Sequence, residues 1–397
     1  MAKIALLGIG TVGGGVARLL SSNAARIAGG AGEEIELKYI LCSRPHPDSP
    51  FAGRLVYDFS VIESDPEVSV VAECIGGVGA AYGYVKRALL AGKSVVTSNK
   101  ELIAEKGPEL LSLAAEKGVR VLFEASVGGG IPIIRPLTQC LAANRVDEVY
   151  GILNGTTNYI LTQMFQCSQS FDEALRQAQR LGYAESDPTA DVEGLDAGRK
   201  ICILADICFG RHVPPEGIKV RGITGITARD AVLAEGLGMT VKLLGRARRV
   251  GERLAVYVSP HMIGLENMLA NISGVMNGIC VRGDAVGECL FYGAGAGSLP
   301  TASAVVADII DAVRRSFDGK GPVWSWGGAE MLVDPDGLRG RWYVRAEVPG
   351  GRLESVFGGG AVSAEEMSAV ITGDMSRGEL DGLCGGLGGL AVFPVLD

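Results

Sequence analysis

The sequence contains few of the residues that form zinc sites, disulfide frameworks or membrane spans. Only three histidines occur, at positions 46, 212 and 261, and the nine scattered cysteines include no C-x-x-C pair. We therefore expect neither a histidine-rich zinc site nor a disulfide scaffold. No uninterrupted apolar run reaches the roughly 18 residues that a membrane helix needs, and the start MAKIALLGIG lacks the pattern of a secretory signal. These absences predict a reduced, cytoplasmic protein that does not bind membranes.

Charge and glycine content narrow the possibilities further. The chain has 45 acidic and 37 basic residues and a net charge of −8, so we expect no nucleic-acid partner. Glycine is abundant, with 58 residues and no fixed repeat. Such an excess indicates tight turns and backbone that comes close to a ligand. The length of 397 residues predicts two or three domains.

Apolar strands and amphipathic helices alternate through the first 130 residues. This alternation predicts an α/β fold with a parallel, doubly wound sheet. More strands and helices follow, and the chain from about Arg341 has two strand-like ends with a helix predicted over Ser363–Ile371. The strands predicted for the first part are Lys3–Leu7, Ile35–Leu41, Val68–Glu73, Ser94–Thr97 and Arg120–Glu124.

A glycine motif, Gly8-Ile9-Gly10-Thr11-Val12-Gly13, follows the first strand and opens a helix. In this setting the first glycine permits a tight turn, the second lets the backbone approach a pyrophosphate, and the third allows close helix–strand packing. The same pattern can also be a purely structural turn. Its position directly after KIALL favours a dinucleotide site, with Gly8, Gly10, Thr11, Val12 and Gly13 as cofactor-binding residues.

The end of the second strand indicates which dinucleotide is bound. NAD sites usually place an acidic residue there to hold the ribose hydroxyls. Here the strand continues into Ser43 and Arg44, with no acid at that place. A serine and a guanidinium suit a 2′-phosphate, which favours NADP over NAD. The alternative is that Arg44 is a solvated loop residue.

Two short polar stretches stand where a ligand is expected. Thr97-Ser98-Asn99-Lys100 follows a predicted strand, and open parallel sheets bind ligands at the carboxyl ends of their strands. Asn154-Gly155-Thr156-Thr157-Asn158 precedes an apolar helix. The second stretch is also a good helix N-cap, and a cap is compatible with a site.

The segment from Gly182 to Lys200 is the densest in functional side chains. It holds five acidic residues within twelve positions and leads into an apolar helix, predicted over Ala190–Phe209. Asp196 and Lys200 lie four residues apart and are therefore neighbours on one helix face. A lysine at the edge of a core and among carboxylates is a candidate proton donor. A solvated acidic loop with a simple ion pair fits the same spacing, and the residues alone leave both interpretations open.

Six segments together resemble homoserine dehydrogenase, in that family's order and over most of residues 1–317. The resemblance implies a Rossmann-type doubly wound parallel sheet, a second α+β domain for catalysis and dimerisation, and a C-terminal ACT-like α+β module. The segment that ends at Lys200 is specific to the family, whereas the glycine motif alone is not. The six segments are GIGTVGGGV, TSNK, EASVGGGIP, GILNGTTNYIL, GYAESDPTADVEGLDAGRK and YGAGAGSLPTASAVVADI.

The resemblance implies an NAD(P)-dependent interconversion of L-aspartate 4-semialdehyde and L-homoserine, in threonine and methionine biosynthesis. Lys100 and Lys200 match the family's active-site lysines, and Asp196 matches an acid that orients the lysine. Lys200 is the better candidate for protonating the carbonyl oxygen as hydride arrives. The residues that match the substrate site are Glu185, Asp191, Asp196, Asn154, Gly155 and Thr156, and the further cofactor residues are Thr97, Ser98, Lys100, Gly295 and Gly297.

A monovalent-cation site, usually for sodium, is also implied by the resemblance. Glu124 and the backbone carbonyls of Val127, Gly129 and Ile131 match its ligands. A carboxylate and carbonyl oxygens suit a hard cation. The alternative is that Glu124 simply ends a strand before a glycine turn, and the sequence alone favours that alternative.

Three domains are expected on the same basis. The dinucleotide domain would comprise residues 1–131 and 293–318, and the substrate and dimerisation domain residues 132–292. Residues 335–397 would form a degenerate ACT-like module, because glycine-rich stretches around residues 358–360 and 382–389 replace expected packing positions. This degeneracy leaves threonine feedback open. The family also implies a homodimer or a higher homo-oligomer.

Two rival functions remain. A phosphorylating semialdehyde dehydrogenase needs a nucleophilic cysteine, and none of the nine cysteines has a polar, basic setting with a nearby histidine. A catalytically silent protein that senses NADP or an amino acid is the second rival, and the retained Lys100, Lys200 and acidic residues argue against it.

Overall fold

The computed structural model describes residues 1–314 and 324–396, which form two compact units. The first unit holds residues 1–145, 202–215, 293–314 and 324–327, and the second holds residues 146–201, 216–292 and 328–396. Residues 315–318 of the predicted dinucleotide domain and residue 397 of the predicted C-terminal module lie outside the described residues. No helix in the described ranges is both long and apolar enough to cross a bilayer.

The strands form one sheet in the first unit, one large sheet in the second, and one short pair. In chain order they are β1 Ala2–Leu7, β2 Ile35–Leu41, β3 Leu55–Val56, β4 Val68–Glu73, β5 Ser94–Thr97, β6 Val121–Leu122, β7 Val146–Ile152, β8 Arg211–His212, β9 Lys219–Val220, β10 Met239–Val250, β11 Arg253–Gly264, β12 Met276–Gly283, β13 Gly287–Ala294, β14 Ser325–Trp326, β15 Trp342–Ala346, β16 Val362–Ala364, β17 Met367–Ile371 and β18 Ala391–Leu396.

Helices separate most of the strands of the first unit, whereas the second unit is richer in direct strand connections. In chain order they are α1 Thr11–Ser22, α2 Ala24–Ala31, α3 Ser60–Ser64, α4 Gly79–Leu90, α5 Lys100–Lys117, α6 Gly155–Gln166, α7 Phe171–Arg180, α8 Thr189–Val192, α9 Leu195–Phe209, α10 Ala228–Gly236, α11 Ser298–Arg314, α12 Gly350–Phe357 and α13 Arg377–Leu383.

The sheet of the first unit has the order β3-β2-β1-β4-β5-β6, and all of its strand pairs are parallel. Its central strands are continuous apolar runs because they are covered on both faces. The predicted doubly wound parallel sheet is therefore confirmed. The strand order reverses between β1 and β4, and in such sheets a ligand crevice lies at the carboxyl ends of these strands. The predicted strand Arg120–Glu124 shortens to β6, since Glu124 begins a 3-10 turn.

The sheet of the second unit has the order β13-β12-β7-β10-β11-β18-β15-β17-β16, with β9 paired to β11. It is mixed, because β10 is antiparallel to β7 and β11 whereas β18 runs parallel to β11. The chain from Trp342 contributes β15-α12-β16-β17-α13-β18, a βαββαβ unit. Strand β18 of this βαββαβ segment pairs with β11. The segment is therefore part of the large sheet and does not form a separate one.

Two helix predictions beyond residue 145 have wrong bounds or the wrong type. The helix predicted over Ala190–Phe209 is split into α8 and α9 because Gly194 has a φ of +82°, a left-handed conformation that ends α8. The helix predicted over Ser363–Ile371 is the hairpin of β16 and β17. Its turn residue Glu365 has a φ of +54°, which a glutamate rarely adopts, so the sequence carried no visible turn signal.

Lys242 on β10 is a buried cation whose partners are all uncharged. Its ammonium donates to Asn158 Oδ1 at 3.2 Å and to the carbonyl oxygen of Ile272 at 2.6 Å. Burial lowers the pKa of Lys242 from its ordinary 10.5 to about 8. The residue opposite, His261, adds no charge, since burial lowers the pKa of its ring to about 3.

Lys242 should make the free energy of unfolding rise with pH. Between about pH 8 and about pH 10.5 the unfolded chain keeps the proton that the folded chain has released, so stability increases through this window. Relative to the variant Lys242→Met, the wild-type protein should gain about 2 kcal/mol between about pH 7.5 and about pH 10. Denaturant unfolding of both proteins at the two pH values measures this. A difference that does not change with pH would contradict the assignment.

Candidate active site

The glycine motif forms the turn between β1 and α1 in the first unit. Gly8 has a φ of +91°, and a Cβ atom at Gly13 would lie 2.1 Å from the carbonyl oxygen of Gly8, so both positions require glycine. Gly10 caps the helix, is exposed, and has no atom within 4 Å of its ideal Cβ position. Thr11 and Val12 are the first residues of α1. The open backbone at this helix N-terminus suits a pyrophosphate.

The loop before α11 lies against the same helix. A Cβ atom at Gly15 would be 2.7 Å from the carbonyl oxygen of Ser298, and the Ser298 hydroxyl donates to the carbonyl oxygen of Thr11 at 2.7 Å. Gly297 has a φ of +125°, a conformation open to glycine. The predicted second cofactor loop is therefore adjacent to the glycine turn, within the first unit.

The side chains predicted to select the dinucleotide are accessible. Ser43 and Arg44 are exposed and follow the carboxyl end of β2. No acidic residue occurs between the end of this strand and Asp48. An exposed guanidinium in this place can reach a 2′-phosphate, and it leaves the ribose without a carboxylate partner.

The segment Thr97–Lys100 connects β5 to α5. Thr97 is fully buried, and its hydroxyl donates to the Glu73 carboxylate at 2.5 Å. The Asn99 side chain caps α5 by accepting a backbone N–H at 3.1 Å, and Lys100 is the half-buried first residue of that helix. Ser98 is half-buried, with its N–H directed to the carbonyl oxygen of Glu73 at 3.4 Å. Thr97 therefore contacts protein groups through its hydroxyl.

A buried ion pair marks the second unit. The Lys200 ammonium donates to Asp196 Oδ2 at 2.7 Å and to the carbonyl oxygen of Leu153 at 2.8 Å. The Asn154 amide donates to the same Asp196 oxygen at 3.0 Å, and its own side-chain oxygen caps α6. Lys200 is 8% exposed and Asp196 5% exposed. The structure therefore rejects the solvated ion pair, and the pair is a buried cluster.

Asp191 joins this cluster and Glu185 does not. The Asn154 amide donates to Asp191 Oδ1 at 2.6 Å, which places the two predicted acids Asp191 and Asp196 on one amide group. Burial, with the charge of Asp196, raises the pKa of Asp191 above its ordinary value. Glu185 is exposed, and its backbone carbonyl accepts from Gln179.

The remaining residues of the predicted substrate motif hold the backbone. The Thr156 hydroxyl donates to the carbonyl oxygen of Tyr183 at 2.7 Å, which fixes the start of the acidic segment. A Cβ atom at Gly155 would lie 2.6 Å from the carbonyl oxygen of Val275, so no larger residue fits there. Both residues therefore set the position of the first turn of α6.

The predicted cation ligand Glu124 is buried and already accepts hydrogen bonds. Its Oε1 accepts the N–H groups of residues 133 and 134 at 2.6 and 2.8 Å, and its Oε2 accepts the N–H of Arg135 at 2.9 Å. Since a carboxylate oxygen can accept two hydrogen bonds, these bonds leave one acceptor position on Oε2. Among the described residues, no group of three or more His, Cys, Asp or Glu side chains is placed to hold a metal ion.

The carbonyls predicted to join Glu124 lie in a tight turn of the same unit. Val127 and Ile131 are buried, and the N–H of Ile131 donates to the carbonyl oxygen of Gly128 at 2.9 Å. Gly129 has a φ of +58°, and a Cβ atom there would be 2.3 Å from the carbonyl oxygen of Gly295. A rigid turn of carbonyl groups beside a carboxylate is compatible with a hard cation.

Sequence reasoning missed two members of these sites. Glu73 ends an apolar strand and precedes Gly76 and Gly77, and this sequence pattern indicates a tight turn. The carbonyl oxygen of Leu153, which accepts from Lys200, belongs to the backbone and carries no sequence signal.

Comparisons with known proteins identify related sequences over most of the chain. A family model for homoserine dehydrogenase matches residues 132–310, and a model for the NAD binding domain of homoserine dehydrogenase matches residues 8–124. The homoserine dehydrogenase of Pseudomonas aeruginosa is 46% identical over 313 residues, covering 79% of this chain and 72% of that protein. The homoserine dehydrogenase of Synechocystis is 42% identical over 384 residues, covering 92% and 88%.

Solved structures give the same result. The chain superposes on a homoserine dehydrogenase from Thiobacillus denitrificans with a TM-score of 0.91 and 37% identity, covering 100% of this chain and 98% of that one. A hyperthermophilic archaeal homoserine dehydrogenase in complex with NADPH superposes with a TM-score of 0.66 and 28% identity, covering 78% and 97%.

Two glycine variants should separate packing from ligand binding. Gly13→Ala forces a methyl group against the backbone of Gly8 and should destabilise the protein by about 1–3 kcal/mol. Gly10→Ala meets no atom, so its free energy of unfolding should change by less than about 0.5 kcal/mol, whereas its NADPH affinity should fall. Denaturant unfolding and fluorescence titration measure the two effects. Equal stability of the two variants, or unchanged NADPH binding by Gly10→Ala, would contradict these roles.

Proposed function

This chain belongs to the homoserine dehydrogenase family, and from this premise we propose how its buried Lys200 cluster carries out the reaction. The enzyme is an NAD(P)-dependent oxidoreductase that interconverts L-aspartate 4-semialdehyde and L-homoserine. The steps below concern what the side chains of this chain do. A bound nicotinamide cofactor supplies the hydride.

The hydrogen bonds of Lys200 carry the proposal. An ammonium group has three N–H donors, and two of those on Lys200 are bound, by Asp196 and by the carbonyl oxygen of Leu153. The third N–H is left for a substrate oxygen. During reduction Lys200 donates this proton to the carbonyl oxygen of the aldehyde as hydride arrives at the carbon. In the oxidation direction the neutral amine takes the proton back from the hydroxyl group.

Asp196 and Asn154 hold Lys200 in place for this transfer. Asp196 lies in the first turn of α9, one turn before Lys200, so the helix fixes the distance between them. The amide of Asn154 prevents the Asp196 carboxylate from rotating, since its N–H binds the same oxygen as the ammonium. The carboxylate and the carbonyl oxygen of Leu153 together fix the position of the Lys200 ammonium.

Asp191 binds the substrate ammonium in this proposal. It sits beside Asp196 on the Asn154 amide, which places a second carboxylate next to the proton donor. Glu185 is exposed at the start of the same acidic segment. It would bind the substrate as a third acid once this segment contacts the ligand. Gly155 and Thr156 fix the position of the first turn of α6.

The cofactor site fits NADP. The glycine turn leaves open space at Gly10 for the pyrophosphate, and a side chain there would occupy that space. Arg44 and Ser43 supply the donors for the 2′-phosphate, and the absence of an acid after β2 removes the partner that NAD prefers. Lys100, at the N-terminus of α5, belongs to the same unit. NAD is the second cofactor in this proposal.

A monovalent cation, with sodium as the expected ion, fits the segment from Glu124 to Ile131. The ligands would be Glu124 and the carbonyl oxygens of Val127, Gly129 and Ile131. A bound cation would hold this glycine turn against Gly295, the residue that Gly129 contacts. Its chemistry there is structural, because carboxylate and carbonyl oxygens would occupy its coordination positions.

The C-terminal βαββαβ unit supports an ACT-like module. Its strands have the order β18-β15-β17-β16, and its buried residues Tyr343 and Arg345 both bind Asp230 of α10. These contacts attach the module to the substrate-binding part of the second unit. Feedback by threonine is not assigned, and a homodimer or higher homo-oligomer and a cytoplasmic location stay predictions from the sequence.

Arg44→Ala should change cofactor preference. Loss of the guanidinium removes charge-assisted bonds to the 2′-phosphate, so kcat/KM for NADPH should fall about tenfold or more, whereas kcat/KM for NADH should change by less than about twofold. Steady-state kinetics with each cofactor measure this. Arg26→Ala, at an exposed arginine of α2, is the matched control and should leave both values unchanged. An equal loss with both cofactors would contradict the role of Arg44.

Lys200→Met should abolish turnover without abolishing cofactor binding. It keeps the aliphatic stem and removes the proton donor, so kcat should fall about 100-fold or more. Lys242→Met, at a buried lysine of the same unit, is the matched control and should retain turnover. Stopped-flow assays and NADPH titration measure both properties. Near-normal turnover by Lys200→Met would contradict the proton-donor role. Wild-type protein that binds NADPH but shows no turnover would favour the sensor alternative.

A further inference from the structure

We propose that Glu73 is a positioning residue that locks the turn at residues 75–77 and the start of α5 into one rigid support for the nicotinamide half of the cofactor. This inference rests on the proposed cofactor site in the first unit. It gives a function to a buried carboxylate outside the residues assigned above, and it changes the assignment of Thr97 from a direct cofactor contact to a part of this support.

Glu73 is the fully buried last residue of β4, and the donors it binds lie in the turn that follows it and at the end of β5. Its Oε1 accepts the N–H groups of Ile75 at 2.7 Å and Gly76 at 3.1 Å, and its Oε2 accepts the Thr97 hydroxyl at 2.5 Å. A carboxylate taken out of water is costly unless such donors replace the water. Burial of Glu73 in the folded chain therefore depends on these three hydrogen bonds.

The network continues from Thr97 into the helix that begins at Lys100. The Thr97 oxygen accepts the N–H of Asn99 at 3.0 Å, and the Asn99 amide donates to the carbonyl oxygen of Gly77 at 2.6 Å. The turn at residues 75–77 is thus held at both ends, by Glu73 at its first N–H groups and by Asn99 at its last carbonyl. Asn99 also caps α5, so the turn and the helix start move as one body.

The glycines of the turn explain why a carboxylate is needed. Gly76 and Gly77 have φ values of +84° and +68°, and neither has an atom within 4 Å of its ideal Cβ position. The two glycines have no side chains that pack, and the described hydrogen bonds of this turn run to Glu73 and Asn99. Consecutive N–H groups in such conformations converge on an anion, and here the anion is the Glu73 carboxylate. Without the Glu73 carboxylate, the hydrogen bond from the Asn99 amide to Gly77 would be the only described hydrogen bond that holds residues 75–77.

The location of the network selects the half of the cofactor that it serves. In a sheet of order 3-2-1-4-5-6, the first three strands and their glycine turn bind the adenosine half, and the following strands bind the other mononucleotide. Glu73 ends β4 and Thr97 ends β5, on the second half of the sheet. The support formed by residues 73–77 and 97–100 therefore serves the nicotinamide mononucleotide.

The test compares binding of NADPH with binding of adenosine 2′,5′-bisphosphate, which lacks the nicotinamide half. Thr97→Val keeps the shape of the side chain and removes the hydroxyl that links Glu73 to Asn99. Glu73→Gln replaces the oxygen that accepts the Thr97 hydroxyl proton by an NH₂ donor, so that this hydrogen bond is lost, and it removes the negative charge from the turn. For both variants we expect the Kd for NADPH to rise about tenfold, with the Kd for the bisphosphate unchanged. Fluorescence titration and calorimetry measure the two constants.

Two further variants separate positioning from general destabilisation. Thr97→Ser retains a hydroxyl and should restore most of the NADPH affinity that Thr97→Val loses. Lys93→Met removes a buried lysine that donates to the carbonyl oxygens of Asp65 and Val68, at the opposite end of the same strands, and should leave both Kd values unchanged.

Equal weakening of NADPH and the bisphosphate, or NADPH binding by Thr97→Val as tight as that of the wild type, would overturn the proposal. If the wild-type protein bound neither ligand, the proposed cofactor site itself would be wrong. These two failures are therefore distinguishable in one set of titrations.

Discussion

The buried pair of Asp196 and Lys200 is the interaction on which the substrate site depends. An ammonium and a carboxylate removed from water need hydrogen-bond partners, and the fold supplies the Leu153 carbonyl for the ammonium and the Asn154 amide for the carboxylate. The left-handed Gly194 ends the preceding helix, so that α9 begins next to it and Asp196 falls in its first turn. A carboxylate is favoured at that end of a helix.

The dinucleotide site obeys the same rule with backbone groups as partners. Gly13 is required by contact with Gly8, whereas the space around Gly10 is open and is where we propose that the pyrophosphate binds. On the neighbouring strands, the Glu73 carboxylate binds two N–H groups and the Thr97 hydroxyl. In each unit a buried carboxylate gathers hydrogen-bond donors at the proposed site, two N–H groups and a hydroxyl at Glu73 and an ammonium and an amide at Asp196.

Much of the fold could be predicted from the sequence because buried parallel strands are continuous apolar runs. The bounds of β2, β4 and β5 coincide with those predicted. The break at Gly194 and the hairpin turn at Glu365 were missed, since each depends on a backbone conformation that tertiary packing selects. The spacing of Asp196 and Lys200 was visible, but their burial was not, because burial depends on chain segments more than forty residues away.

The central claim is that the Lys200 cluster transfers a proton while a bound nicotinamide supplies hydride. It is tested most directly by following NADPH absorbance with L-aspartate 4-semialdehyde as substrate and identifying the product. Our account predicts oxidation of NADPH with formation of one homoserine per NADPH consumed. A folded protein that binds NADPH and oxidises neither NADPH nor NADH under these conditions would contradict it.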